Sequence, residues 1–434
     1  MRCESLLAAL LWAFPSFAAN NPPAVTFTKD VAPILRKNCQ GCHRPGEAAP
    51  FSLVTYEQAR PWAKAMKEAV LLKKMPPWFA DPHYGKFSND RSLTQKDADT
   101  IATWADAGAP FGDSKELPPP VNFIEGWSIP KPDVVYEFPA FQIPATGTIE
   151  YQKVIVPTGF TEDKWVQFAE ARPDNRARVH HMIAFIREPG SQWLRSAPPG
   201  IFFVAPKPKS DDDADTSGLP SDFLVGYAPG QPPEILEPGQ GKLIKAGSDL
   251  VLEIHYTTNG TAASDRSKFG MVFAKEQPKE RVLTLSATNG KFKIPPGDPN
   301  HRVDAAFEVA RPVKLSGLHP HMHGRGKDFE YRIVYPTGET ETLLRVPRYN
   351  WHWQLWYSLA QPILLPKGAK IECTAHFDNS VNNPDNADPS KEVTWGDQSW
   401  DEMMVGFFNL TFDAHMPVEE LFPQTKRQNA VAGN

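Results

Sequence analysis

The chain has 434 residues, which at roughly 150 residues per domain corresponds to about three compact units and excludes a single small fold. Hydrophobic residues make up 41% and charged residues 22%, a globular balance that excludes wholesale disorder, and a net charge of -5 lacks the basic footprint that DNA or RNA partners require. The 44 prolines are about twice the usual share; because proline interrupts helix interiors, they point to mostly β structure with long loops.

Residues 1–18 hold Arg2, an apolar run from Leu6 to Phe14, and a small-residue exit at Ser16-Phe17-Ala18, the three parts of a secretory signal peptide. The run is too short for a bilayer, which needs roughly 20 residues, and no later stretch reaches that length. The expectation is a periplasmic or secreted protein with no membrane span. Cleavage would remove Cys3 and leave Cys39, Cys42 and Cys373, too few for a disulfide framework.

Residues 24–113 carry helix punctuation. Val31, Ile34 and Leu35 follow Thr28 at helical spacing, Thr55 with Gln58 and Thr94 with Asp97 read as capping boxes, and Gly108 can end the last helix. A linker over 114–121 contains Pro118-Pro119-Pro120, which favours an extended, stiff chain. Beyond it, Tyr151–Val156, Leu250–Tyr256, Phe329–Tyr335 and Lys370–His376 are β-branched and aromatic runs bounded by turn residues. Their spacing suggests one or two antiparallel β-sandwiches. The acidic run Asp211-Asp212-Asp213 with Asp215 sits among Pro, Ser and Gly and reads as a solvated loop, with calcium binding a second choice.

Two sequence features carry chemistry. Cys39-Gln40-Gly41-Cys42-His43 is the C-x-x-C-H pattern of covalent haem c attachment, in which the histidine ligates iron; a redox dithiol is the alternative, but its βαβ context is missing. The opposite axial ligand should be histidine or methionine. Met75, in Met75-Pro76-Pro77, resembles the axial-methionine segment of small class I cytochromes c, with Met66 and His83 as rivals. Met66 reads as core and His83 as a loop residue. The second feature is histidine clustering: His180-His181-Met182, His255-Tyr256, and His319-Pro320-His321-Met322-His323-Gly324. On a strand, side chains two apart share a face, so His319 and His321 can meet one metal. Adjacent His180 and His181 would point apart unless the strand is bulged or twisted there.

Read together, these segments resemble the copper type II, ascorbate-dependent monooxygenases, the family of peptidylglycine hydroxylating and dopamine β-monooxygenases, over about residues 121–422. The resemblance implies that His180, His181 and His255 hold an electron-transferring copper. It also implies that His319, His321 and Met403, the last in Asp401-Glu402-Met403, hold the copper that activates O2. Imidazole with a thioether independently suits copper over zinc, so zinc hydrolysis ranks lower. Blue copper would need a thiolate ligand, and Cys373 reads as a small core residue instead. The expected architecture is therefore a small all-α cytochrome c domain followed by two antiparallel sandwich domains, jelly-roll-like by resemblance, at 122–278 and 279–422, with a tail over 423–434.

Departures from the family narrow the function. Met404 stands where eukaryotic members place a cysteine that pairs with a strand cysteine resembling Cys373, so packing must replace that bridge. Gly317, Val405 and Phe407 stand where peptide-amidating members hold a substrate carboxylate, which implies a more apolar pocket and no peptide amidation. His323 is an extra histidine, either a ligand or a supporting group, and His301, His352, His376 and His415 read as structural. The resemblance implies an oxidoreductase that hydroxylates a C–H bond of an unknown small or apolar substrate with O2, with the haem relaying electrons from an unknown donor to the first copper. A non-catalytic copper and haem carrier is the alternative.

Overall fold

The computed structural model describes residues 25–123, 126–206 and 222–423; the expected signal peptide, the acidic run at 211–215 and nearly all of the tail lie outside them. The helical segment comprises α1 (Ala32–Asn38), α2 (Tyr56–Ala59), α3 (Ala63–Leu71) and α4 (Gln95–Asp106). Its own core gathers Phe27, Val31, Leu35, Met66, Ile101 and Trp104, so Met66 is buried packing. The Thr55–Gln58 capping box forms in full, and Thr94 accepts from the Asp97 amide. Thr28 lies inside an opening helical turn over Phe27–Val31 and is buried there. After α4, Gly108 adopts a positive φ of 82°, the left-handed conformation in which glycine ends helices.

The remainder is β structure. The strands are β1 (Val134–Glu137), β2 (Phe141–Ile143), β3 (Gln152–Pro157), β4 (Lys164–Arg172), β5 (Val179–Arg187), β6 (Asp222–Tyr227), β7 (Glu234–Ile235), β8 (Gln240–Ile244), β9 (Asp249–Tyr256), β10 (Ala263–Asp265) and β11 (Lys268–Phe273). They continue as β12 (Glu280–Thr288), β13 (Lys293–Ile294), β14 (His301–Glu308), β15 (Val313–His321), β16 (Gly326–Val334), β17 (Thr340–Val346), β18 (Tyr357–Leu365), β19 (Lys370–Phe377), β20 (Val393–Thr394) and β21 (Val405–Asp413). All four runs read as strands from sequence fall on strands, in β3, β9, β16 and β19.

Two face-to-face layers enclose two cores. Sheet β3-β9-β5-β6 packs on β1-β11-β4-β8 around Val154, Phe269, Leu252 and Met271. Sheet β14-β19-β16-β17 packs on β12-β21-β15-β18 around Leu315, Tyr331, Cys373 and Phe408. Burial of alternate strand residues against a facing sheet is the sandwich pattern. The two backing layers, with β7 paired to the side of β4, are one sheet of nine strands, joined where β12 pairs with β8 in parallel through Glu280↔Gln240 and Arg281↔Gly241. That short parallel joint departs from the all-antiparallel expectation. Beside it the fully buried Lys242 ammonium donates to the carbonyls of Phe223 and Leu224 at 2.8 and 2.9 Å and to Thr284 Oγ1 at 3.2 Å. Those three bonds give a buried cation the partners it requires. Among the described residues, no helix is long and apolar enough to cross a membrane.

Candidate metal centres

The first histidine cluster is made by a bulge. Between Val179↔Tyr256 and His181↔His255, β5 advances two residues while β9 advances one, leaving His180 as the extra residue. An inserted residue re-aims its side chain, and it turns His180 onto the face of its neighbours. Donor atoms of His180, His181 and His255 all lie within 4.8 Å of one another, and the His180 and His181 Nδ1 atoms are 3.1 Å apart. His180 Nε2, His181 Nε2 and His255 Nδ1 are buried with no hydrogen-bond partner. Such orphaned nitrogens are costly unless something ligates them. Burial holds the His180 imidazole down to about 4 and the other two well below the usual histidine range; all three are the neutral bases that a metal needs.

The second cluster lies on the far side of the interface between the two cores, at the end of β15 and just beyond it. His319 and His321 share a face there, with ring centroids 6.5 Å apart, and His323 lies 5.3 Å from His321. Each ring is held through Nδ1: His319 by the Leu355 carbonyl at 3.0 Å, His321 by Gln354 Oε1 at 2.9 Å, His323 by the Asp401 carbonyl at 3.1 Å. Fixing Nδ1 in this way sets the ring orientation and presents Nε2 to a ligand. His323 Nε2 is buried without a partner, so His323 joins this cluster. Burial lowers His319 and His323 to about 3 and lowers His321 as well.

Met403 is half-buried just before β21. The β15–β21 ladder sets Val405 opposite His321, which brings Met403 to the same sheet end. Its position depends on Glu402, a fully buried carboxylate that accepts from the amides of His323 at 2.8 Å, Arg325 at 2.7 Å and Met403 at 3.3 Å. Desolvation pushes Glu402 up to about 7, against those amide bonds. A Cβ on Gly396 would stand 2.4 Å from Asp401 Oδ2, so only glycine lets the two arms of this turn close.

The two clusters meet across the interface between the cores. His181, His319, His321 and Gln354 line one narrow pocket with Phe223 and Tyr227, and the ring of buried Tyr151 lies 4.2 Å from His255, 5.1 Å from His181 and 6.2 Å from His323. Trp351, on the loop that supplies Gln354, packs 5.1 Å from His180. Phe407 sits 5.7 Å from His319, in keeping with an apolar pocket. Sequence reading missed Tyr151, Gln354 and Trp356, which carry no motif; Glu402 was visible inside its motif but had no assigned role.

In the helical segment, Cys39 and Cys42 are free thiols on the turn after α1, where the His43 amide donates to the Cys39 carbonyl at 2.9 Å. His43 Nδ1 is held by the Phe51 carbonyl at 3.2 Å, the same device as in the second cluster. Burial raises both thiols, Cys39 to about 12. Met75 lines a cavity of about 570 Å³ with Trp78, Tyr84 and Phe87; Cys39, Cys42 and His43 are not among its walls, so this cavity does not unite the expected axial pair. His83 is exposed and paired with Asp81 at 2.6 Å. Of the histidines read as structural, His301 faces Asp298, His376 faces Asp328, and His415 has its amide on Asp413. His352 lies 6.1 Å from His180, at the edge of the first cluster. Cys373 and Met404 are both buried in the second core, so packing occupies the place of a disulfide.

No protein-family model matches the chain, and no curated protein matches it. Among solved structures it is similar to the major capsid protein P2 of bacteriophage PM2, at 9% identity over 64% of this chain and 97% of that one, with a TM-score of 0.25. A putative secreted protein from Eubacterium rectale matches at 9% identity over 61% and 69%, with a TM-score of 0.19. Likenesses this distant carry no functional weight.

Proposed function

We propose that the chain is an exported, haem c-bearing copper monooxygenase that hydroxylates a C–H bond of a small or apolar substrate with O2. In this reading the helical segment is the cytochrome c domain, and the two sandwiches that share the nine-stranded sheet are the copper domains. Cys39 and Cys42 would attach the haem, with His43 and Met75 as axial ligands. His180, His181 and His255 would hold the electron-transferring copper; His319, His321 and Met403 would hold the oxygen-activating one, with His323 beside them.

The observation that carries this reading is the set of four buried imidazole nitrogens, on His180, His181, His255 and His323, that have no hydrogen-bond partner. Neutral imidazole with a neighbouring methionine is a copper-type donor set. Burial raises both thiols, which speaks against a redox dithiol, whose attacking cysteine is lowered. Copper would supply oxygen activation, with one oxygen atom going to substrate and one to water. The protein's own part is orientation: Gln354 and Leu355 aim His321 and His319, Phe407 and Phe223 line the pocket, and burial of the histidines keeps bulk water away. The narrowness of that pocket favours, as second reading, a copper and haem electron carrier without substrate.

Metal analysis and optical spectroscopy of protein matured in a haem-attaching, exporting host test the proposal. One covalent haem and two coppers per chain, without an intense blue band, are expected; zinc or no copper would overturn it. Substrate-dependent O2 consumption separates enzyme from carrier.

A further inference from the structure

The helical segment rests on both sandwiches. Against the second, Asn89 Nδ2 donates to the Trp356 carbonyl at 2.8 Å, and the Ser358 amide returns a bond to Asn89 Oδ1 at 3.0 Å; the Trp356 ring in turn lies flat on His319, with centroids 4.8 Å apart. That anchorage fixes the loop that carries Arg91. Against the first sandwich, Arg176 pairs with Glu47, and Glu47 also accepts from Arg44 at 2.8 Å. The three arginines converge beside Cys42. Burial raises the Cys42 thiol, and the charges that act on it are Arg91, which lowers it, Glu47, which raises it, and Arg176 and Arg44, which lower it. A Cβ on Gly230 would stand 2.7 Å from Arg91 Nη1 and 3.8 Å from Cys42 Sγ, so a glycine leaves the guanidinium its place beside the sulfur.

The charge in this seam does not balance, and its donors are not used up. Guanidinium groups stay protonated in proteins, so three cations face the single carboxylate of Glu47. Among the described residues no carboxylate acts on Arg91; the groups that do are Cys42 and Tyr357. Arg44 Nε and the Tyr227 hydroxyl are buried with no hydrogen-bond partner. Tyr227 is 6% exposed, the Arg176 guanidinium lies 5.7 Å from its ring centroid, and Arg176, Glu47 and Cys42 are the charged groups within reach of its hydroxyl. Buried donors left without acceptors are costly, and excess positive charge among them calls for an anion. We propose that Arg44, Arg91, Arg176 and Tyr227 form a binding site for a small oxyanion, a phosphate or carboxylate group, at the seam between the helical segment and the first sandwich. The planar guanidinium fork matches the oxygens of either group. Arg44 and Arg91 come from the helical segment and Arg176 and Tyr227 from the sandwich, so a bound oxyanion ties the two together. The site needs neither haem nor copper and stands apart from the reading above.

The test is calorimetric titration of the purified full chain, in a low-salt zwitterionic buffer, with inorganic phosphate and separately with acetate. One saturable site per chain is expected. Arg91→Met and Tyr227→Phe should each weaken it by about tenfold or more, the loss of one charge-assisted hydrogen bond, while Glu47→Gln, which removes the competing carboxylate, should tighten it. Phosphate should also raise the melting temperature of the unaltered chain, as mass action requires, and do so less in Tyr227→Phe. That variant keeps the fold, because its hydroxyl has no partner to lose, so it decides the matter even if Arg91→Met does not fold. Tighter binding of phosphate than of acetate assigns the site to a phosphate group, and the reverse to a carboxylate. The proposal is overturned by the absence of saturable binding of both anions, by weaker binding in Glu47→Gln, or by binding that Arg91→Met and Tyr227→Phe leave unchanged, which would mean an adventitious ion only.

Discussion

The two histidine clusters solve one problem in opposite ways. In the first, a β-bulge brings donor atoms of three imidazoles within 4.8 Å of one another, and one buried nitrogen on each ring has no hydrogen-bond partner. In the second, His319 and His321 stand farther apart, with ring centroids at 6.5 Å, and each ring is pinned through Nδ1 by an oxygen of a neighbouring loop. Proximity is built into the backbone of one site and orientation into the supporting bonds of the other. The first should therefore depend on its strand pairing, and the second on the loops at 349–356 and 395–403.

The largest effect that would sharpen this contrast is at Glu402. Glu402→Leu leaves the amides of His323, Arg325 and Met403 without their acceptor, and should cost about 3–5 kcal/mol in urea unfolding; on the copper reading, metal should be lost from the second cluster only. Next are the proposed ligands: on the copper reading, His255→Ala and His319→Ala should each reduce bound copper from two per chain to one by metal analysis, and the double variant to none. A single substitution that empties both sites would break the view that they are separately built.

A smaller, selective effect is expected at Gln354. Gln354→Leu frees the His321 ring and should weaken second-cluster copper by roughly 10–100-fold in a competition titration, while the first cluster keeps its affinity. The smallest effect lies at the joint between the cores. Asp222, buried 4.0 Å from Arg281, is pushed up to about 6 by desolvation. The folded state then holds a proton that the unfolded chain releases near 3.8, so this group's contribution to stability falls as pH rises from about 4 through 6. Asp222→Asn should flatten that part of the stability–pH curve; an unchanged slope in thermal melts would remove Asp222 as its source.

Much of this was legible locally. Period-2 runs located β3, β9, β16 and β19, and the Thr55 box was readable because capping needs only residues three apart. The demand for a bulge at His180 followed from two adjacent histidines, since strand side chains alternate. Thr28, which precedes the helical apolar spacing in the sequence, lies inside the opening turn, because Phe27 and Val31 are buried in the helical core. Tyr151, Gln354 and Trp356 were silent because an isolated tyrosine, glutamine or tryptophan has no spacing to betray it.

The sequence by itself determined the two chemical vocabularies: a C-x-x-C-H turn beside helices, and histidines in three short groups on β-runs. Periodicity and ligand chemistry act over a few residues, so they survive without a fold. Only the tertiary structure decided that residues 181, 255 and 319–323, far apart in the chain, share one interface, that a parallel pairing of β8 with β12 makes one sheet of two layers, and that the helical segment rests on Trp356. Those outcomes come from which apolar faces bury each other, and burial is a property of the whole chain.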